Sequence, residues 1–334
     1  MEGKSRRRRR GCRPLVLSFA IGWALSPCVV RAQAGDGSGD PSRPAPVLDF
    51  GYYRADRVPS GRESHLVRVR EWTNLVYFDW YADARAHDYE AGDAMRGALR
   101  NMDGMMRRAV AADMVMVMDV SWGLGWGPLL TRGEILQTAA PYWDHVKYVL
   151  LGDELQIEVD EANALLASFR TAMTRLGLPE RPIGVTLTPK YVLENPPVLG
   201  ADWDYIAIEA FTPDCRCEDC GQKGARREID AVAELIRAQE AMIPPEIDLM
   251  MIMQGYDRNG FFADIDTLAA LNRATYFEMV KGNPRYRAIA VFNWDRPGTE
   301  CASRPHPQHG HGSRGFPKLQ EVHREIWRDL TTKR

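Results

Sequence analysis

Two carboxyl groups stand side by side where an apolar run stops: Asp153 and Glu154, in the stretch KYVLLGDELQIE at 147–158. A third, Glu209, lies inside the apolar stretch IAIEAF at 206–211. A carboxylate among apolar neighbours needs an ionic partner or a cleft. Two carboxyl groups flanking a bond, one protonated and one charged, can protonate a leaving oxygen while the charged partner acts on the opposite face. Apolar surroundings raise the pKa of the group that serves as acid. Glu154 is the expected acid, and its expected partner is Glu209, Asp153 or Asp295, in that order. Two plainer roles compete. Glu209 is also placed to form a structural ion pair with Arg54 or Arg296. Asp79, Asp153 and Asp295, taken singly, suit helix N-caps.

Such groups need a scaffold that aims them at one point. From residue 47 onward, short β-rich apolar runs alternate with longer helical patterns, which implies parallel strands with crossover helices. The expected strands are 47–53, 74–80, 114–120, 146–152, 182–188, 204–210, 247–254 and 287–294. They are almost continuously apolar, as strands covered on both faces are. Helices are expected over 91–112, 132–140, 161–175, 225–241, 264–280 and 318–330, with little room for one between the fifth and sixth strands. The unit count predicts an α/β fold, a (β/α)8 TIM barrel with eight parallel strands, over 47–334 as a single domain. The alternative is an open doubly wound sheet. No G-x-G-x-x-G follows the first strand and no phosphate-binding loop occurs, so no nucleotide cofactor is expected.

Barrel enzymes build their sites at the carboxyl ends of the strands. Those ends carry Tyr52, Tyr53 and Arg54; Asp79, Trp80 and Tyr81; Asp119, Ser121 and Trp122; Asp153 and Glu154; Thr188 and Lys190; Glu209 and Phe211; Gln254 and Tyr256; and Asn293, Trp294 and Asp295. Together they make an acidic, aromatic mouth. Flat aromatic faces stack on the apolar side of a sugar, while carboxylates and amides bond its hydroxyls. Tyr52, Asp79, Trp80, Trp122, Gln254, Tyr256, Asn293, Trp294 and Asp295 are the expected contacts to a carbohydrate substrate.

These residues resemble the barrel glycoside hydrolases in two ways. In the clan of retaining glycosidases the acid/base glutamate ends strand four, where Glu154 stands. The clan's nucleophilic glutamate ends strand seven, where this chain has Gln254 and, close by, Tyr256. The motif Gly152, Asp153, Glu154 is similar to the hexosaminidases. There the glutamate is the acid and the aspartate steadies the substrate's own acetamido group, with no acid required on strand seven; the histidine and second glycine of that motif are replaced by Leu150 and Leu151. The resemblance implies a glycosidase. The competing expectation is a barrel that binds carbohydrate, or serves as a scaffold, without catalysis. A metal-dependent hydrolase would need histidines at strand ends, and no expected strand end carries one.

The N-terminus predicts export. Basic residues from Lys4 to Arg13, the apolar run PLVLSFAIGWAL at 14–25 and the small residues Ala32 and Ala34 form a signal-peptide pattern over 1–34. The segment 35–46 is a flexible linker by composition. Of 43 Lys+Arg and 45 Asp+Glu, the first 34 residues hold eight and one. The remaining 35 basic and 44 acidic groups give about −9 with His neutral, a poor match to nucleic acid or an anionic membrane. A secreted or periplasmic location makes Cys215, Cys217, Cys220 and Cys301 expected disulfide partners, with three pairings open. CRCEDC with a histidine from 306–311 is the metal-binding alternative.

Overall fold

A computed structural model describes residues 48–53, 55, 65–78, 91–120, 132–153, 157–187, 200–210, 225–255, 265–292, 294 and 312–332, with backbone alone for 91–96, 98, 153, 225–228 and 265. All lie in the compact unit Pro44–Arg334. Its strands are β1 (Asp49–Tyr53), β2 (Leu75–Phe78), β3 (Val115–Asp119), β4 (Val146–Asp153), β5 (Ile183–Leu187), β6 (Tyr205–Ala210), β7 (Asp248–Gln254) and β8 (Tyr286–Phe292). They pair in parallel in sequence order, and β1 pairs with β8, which closes the barrel. The expected (β/α)8 architecture is present.

Among the described residues the helices are α1 (Leu66–Val69), α2 (Ala91–Ala111), α3 (Arg132–Ala139), α4 (Val159–Arg175), α5 (Ala225–Met242), α6 (Ile265–Ala274) and α7 (Pro317–Thr332). The helix expected over 264–280 changes pitch: α6 gives way to a π-helical segment, Thr275–Val280. The short α1 was not expected, and it places His65 and Trp72 beside the start of the barrel. The step from β5 to β6 lies mostly outside the described residues.

Period-two alternation divides the strand side chains between two cores. One cluster joins Phe50, Tyr52, Val76, Met116, Val149, Ile206 and Met251 to helical residues such as Phe169, Ile236 and Ile326. The other consists only of strand residues, among them Tyr53, Tyr77, Val117, Leu150, Tyr205, Ala207 and Ile252. The second is therefore the barrel interior. Tyrosines fill it where glycines leave room: a Cβ on Gly184 would lie 2.5 Å from the Tyr205 ring.

The amino end of the barrel is sealed by polar groups. Asp49, with its side chain 3% exposed, accepts from Lys147 Nζ at 2.6 Å, Asn74 Nδ2 at 2.7 Å and the Tyr148 hydroxyl at 3.0 Å. Arg287 Nε pairs with Asp248 at 2.7 Å. Burial first, and the Asp49 carboxylate second, hold the Tyr148 phenol far above its ordinary pKa, so it is a permanent donor. This plug leaves the carboxyl end as the side where strand ends can serve chemistry.

Candidate active site at the carboxyl mouth of the barrel

Alternation decides which strand-end side chains reach the barrel axis. On β6, Tyr205 and Ala207 belong to the interior cluster while Ile206 and Ile208 belong to the outer one. Glu209 shares the parity of Tyr205 and faces inward. It is partly exposed, whereas Ile208 and Ala210 beside it are buried. The same parity turns Tyr53, Tyr77, Asp119, Gln254 and Phe292 inward. Asp119 is 5% exposed and Gln254 3%. Burial and then the Asp119 charge push the Tyr205 phenol well above its usual pKa, and its hydroxyl donates to the Val149 carbonyl at 3.0 Å. Thr186, also inward, is buried, and its Oγ1 has no hydrogen-bond partner among the described residues.

The ring has two unlike halves. Tyr53 and Tyr77 stack with centroids 3.4 Å apart at 19°, and Phe292 meets Tyr53 edge-on at 4.9 Å. These three come from β8, β1 and β2. Asp119, Thr186, Glu209 and Gln254 come from β3 and β5 to β7. In a closed ring of eight, β6 stands opposite β2, so Glu209 faces the aromatic half. Tyr53 and Tyr77 are buried, at 6% and 1% exposure, so Phe292, which is partly exposed, is the member of this half with a face open to the mouth, an apolar surface opposed by the Glu209 carboxyl across the ring.

Of the expected site residues, Glu209 and Gln254 occupy this ring. Asp153 ends β4, its backbone paired with Thr186; its side chain, and all of Glu154, Asp79, Trp80, Trp122, Tyr256, Asn293, Asp295 and the four cysteines Cys215, Cys217, Cys220 and Cys301, lie outside the described residues.

Tyr52 and Trp294 are corrected. Tyr52 has no exposed surface; its ring packs in the outer layer, 4.8 Å from Trp294, and its hydroxyl bonds His323 at 2.7 Å. Trp294 is likewise fully buried, its Nε1 donating to His65 Nδ1 at 2.9 Å. Neither offers a face to a substrate. The inward tyrosine is its neighbour Tyr53. Tyr77 and Thr186 were missed, although counting by twos from Glu209-like strand ends finds them.

A second cleft, about 690 Å³, opens at the opposite, amino end of the barrel, between Arg170, Arg181, Trp203, Asp204 and Glu246. Its arginines are engaged: Arg170 pairs with Asp204 at 2.9 Å, and Arg181 donates to the Trp143 carbonyl at 3.2 Å. It contains none of the strand carboxyl ends. Among the described residues, no three His, Cys, Asp or Glu side chains converge as a metal site, and no helix is long and apolar enough to cross a membrane.

The closed parallel barrel with its polar carboxyl mouth defines a (β/α)8-barrel protein. No protein-family model and no curated sequence matches the chain. Solved structures do resemble it. A GH5_18 protein from Streptomyces cattleya, determined in complex with GlcNAc, is 12% identical with a TM-score of 0.57, over 87% of this chain and 82% of that one. A β-glucuronidase from Faecalibacterium prausnitzii is 12% identical with a TM-score of 0.51, over 86% of this chain and 50% of that one. The chain thus spans about half the glucuronidase. At these identities the likeness is one of fold, and it is to the barrels of glycoside hydrolases, as the strand-end residues led us to expect.

Proposed function

We propose that the chain is an exported glycoside hydrolase that cleaves an oligo- or polysaccharide at the carboxyl mouth of its barrel. One observation carries the reading: Glu209 faces inward, partly exposed, from the end of an otherwise buried strand, across from the aromatic half of the ring. Glu209 keeps part of its surface exposed, and the partly exposed Phe292 stands in the opposite half of the ring. Glu154, one residue beyond the end of β4, is the general acid that protonates the glycosidic oxygen. Glu209 is the charged partner, with Asp153 in reserve. A separation of ~5 Å between the two carboxyl groups gives retention, and ~6.5–9.5 Å gives inversion through a water.

The test is turnover on a panel of aryl glycosides and polysaccharides by the wild type, Glu154→Gln and Glu209→Gln. Loss of about 100-fold or more in kcat for each variant is expected. Undiminished turnover in both refutes the assignment.

A second reading is favoured by Gln254. An amide at the end of β7 cannot act as a charged nucleophile, so a barrel that binds carbohydrate without cleaving it is the alternative. Saturable binding of a polysaccharide with no turnover on the whole panel selects that reading. Export and disulfide formation are part of the proposal: the mature protein should begin after Ala34, and Cys215, Cys217, Cys220 and Cys301 should resist alkylation until reduced.

A further inference from the structure

Tyr52 leaves the substrate site only to enter a different construction. Asn272 of α6 places Nδ2 at 2.7 Å from the Gln254 carbonyl and at 3.0 Å from that of Leu268. Both are acceptors, so the amide nitrogen belongs on that side and Oδ1 turns to His323 Nε2, at 3.2 Å. An acceptor there requires the proton on Nε2. Nδ1 is then bare and accepts the Tyr52 hydroxyl at 2.7 Å, and the Tyr52 oxygen accepts Trp72 Nε1–H at 3.2 Å. Tyr52, His323, Asn272 and Gln254 are all buried. The hydrogen bonds therefore have one possible direction, and none of these groups is left over.

The path ends on the backbone of β7 where it leaves the barrel. The next residue is held as firmly: Gly255 N donates to the Phe292 carbonyl at 2.6 Å, and its carbonyl accepts from Ser313 Oγ at 3.1 Å. A Cβ at Gly255 would lie 2.4 Å from Val291 Cγ1 and 2.6 Å from Ser313 Oγ, so only glycine permits this approach. The strand carries Gln254 into the ring that holds Glu209.

We infer that Asn272 and His323 are positioning residues: they fix the Gln254 carbonyl and thereby the direction in which its carboxamide enters the mouth. The clamp stands on the geometry alone; that its beneficiary is a sugar contact rests on the proposed function.

Two substitutions divide the relay. His323→Gln keeps a donor where Nε2 was and preserves the link to Asn272; His323→Asn keeps an acceptor where Nδ1 was and preserves only the link to Tyr52. Each loses one buried hydrogen bond, and His323→Asn also removes one more methylene, so exchange over 250–256 is read against that over 49–53, which a merely structural loss would quicken together. The inference expects a difference. Amide exchange over 250–256 should stay near wild type in His323→Gln and quicken about tenfold in His323→Asn, the effect of one net hydrogen bond. KM for whichever aryl glycoside is turned over should follow the same order, with kcat less affected. Equal exchange in the two variants overturns the inference. Failure of every glycoside removes the functional reading and leaves exchange to decide the clamp. Should the variants unfold, nitrogen-edited spectra of wild-type histidines at pH 7 decide it: an Nε2–H tautomer for His323 is expected, and an Nδ1–H tautomer overturns the inference.

Discussion

Acid should destabilise this barrel through one histidine. His323 has no exposed surface, and burial, with the adjacent Arg324 charge second, pushes its pKa down to about 3. The aromatic rings of Phe50 and Tyr52 face it at 5.8 and 5.3 Å, and its partners are the neutral Tyr52 hydroxyl and Asn272 amide. In the unfolded chain the same imidazole titrates near 6.5. The folded state therefore binds fewer protons over that interval, and stability falls as the pH drops through it. From pH 7 to pH 5 the loss from this group is about 2 kcal/mol, reaching about 4 kcal/mol at pH 3. Urea unfolding at pH 7 and pH 5, followed by tryptophan fluorescence, measures the change for wild type and for His323→Gln. Carboxylates contribute equally to both proteins, so the difference isolates the histidine. The wild type should lose about 2 kcal/mol more than the variant between the two pH values. Parallel losses would show that His323 is solvated or protonated in the folded protein, and the relay argument would fail with it.

Three further outcomes follow from packing. Phe169→Ala on α4 empties a fully buried site between helix and barrel and should cost about 3–5 kcal/mol in chemical unfolding; a cost below 1 kcal/mol contradicts the described core. Asp49→Ala removes the acceptor of the Asn74 amide and leaves the Tyr148 hydroxyl only the Arg287 carbonyl at 3.3 Å, and should lower stability by about 1–2 kcal/mol, since the partly exposed Lys147 recovers its hydration. A stability gain there would mean the plug is misassigned. Gly51→Ala puts a Cβ 1.7 Å from the Leu75 carbonyl oxygen, where β1 meets β2; we expect loss of about 3 kcal/mol or failure to fold, and a wild-type melting temperature would contradict the strand register.

The order and extent of the strands were legible because each is a short, almost continuously apolar run. Expected and observed limits differ by at most one residue for β3 to β7, and the barrel follows from counting them. Direction around the strand was harder to read. Tyr52 and Tyr53 are adjacent and chemically identical, and only the pleat, with Gly51 on the same face as Tyr53, says which one enters the mouth. Strand-end residues such as Trp294 look like site residues until the layer of helices is known. The relay was not legible at all: Tyr52 and His323 are 271 residues apart, and nothing local marks a mid-helix histidine as the partner of a first-strand tyrosine. Similarly, α6 reads as one amphipathic helix with the segment after it, because a single wide turn does not disturb the apolar stripe.

The most direct test of the account is a structure of the Glu154→Gln protein with an oligosaccharide bound. We predict the sugar at the carboxyl mouth, a ring against the partly exposed Phe292, and the side chains of residues 154 and 209 on either side of one glycosidic oxygen, ~5–9.5 Å apart. A sugar bound in the cleft at the amino end, or side chains 154 and 209 too far apart to reach one bond, would contradict it.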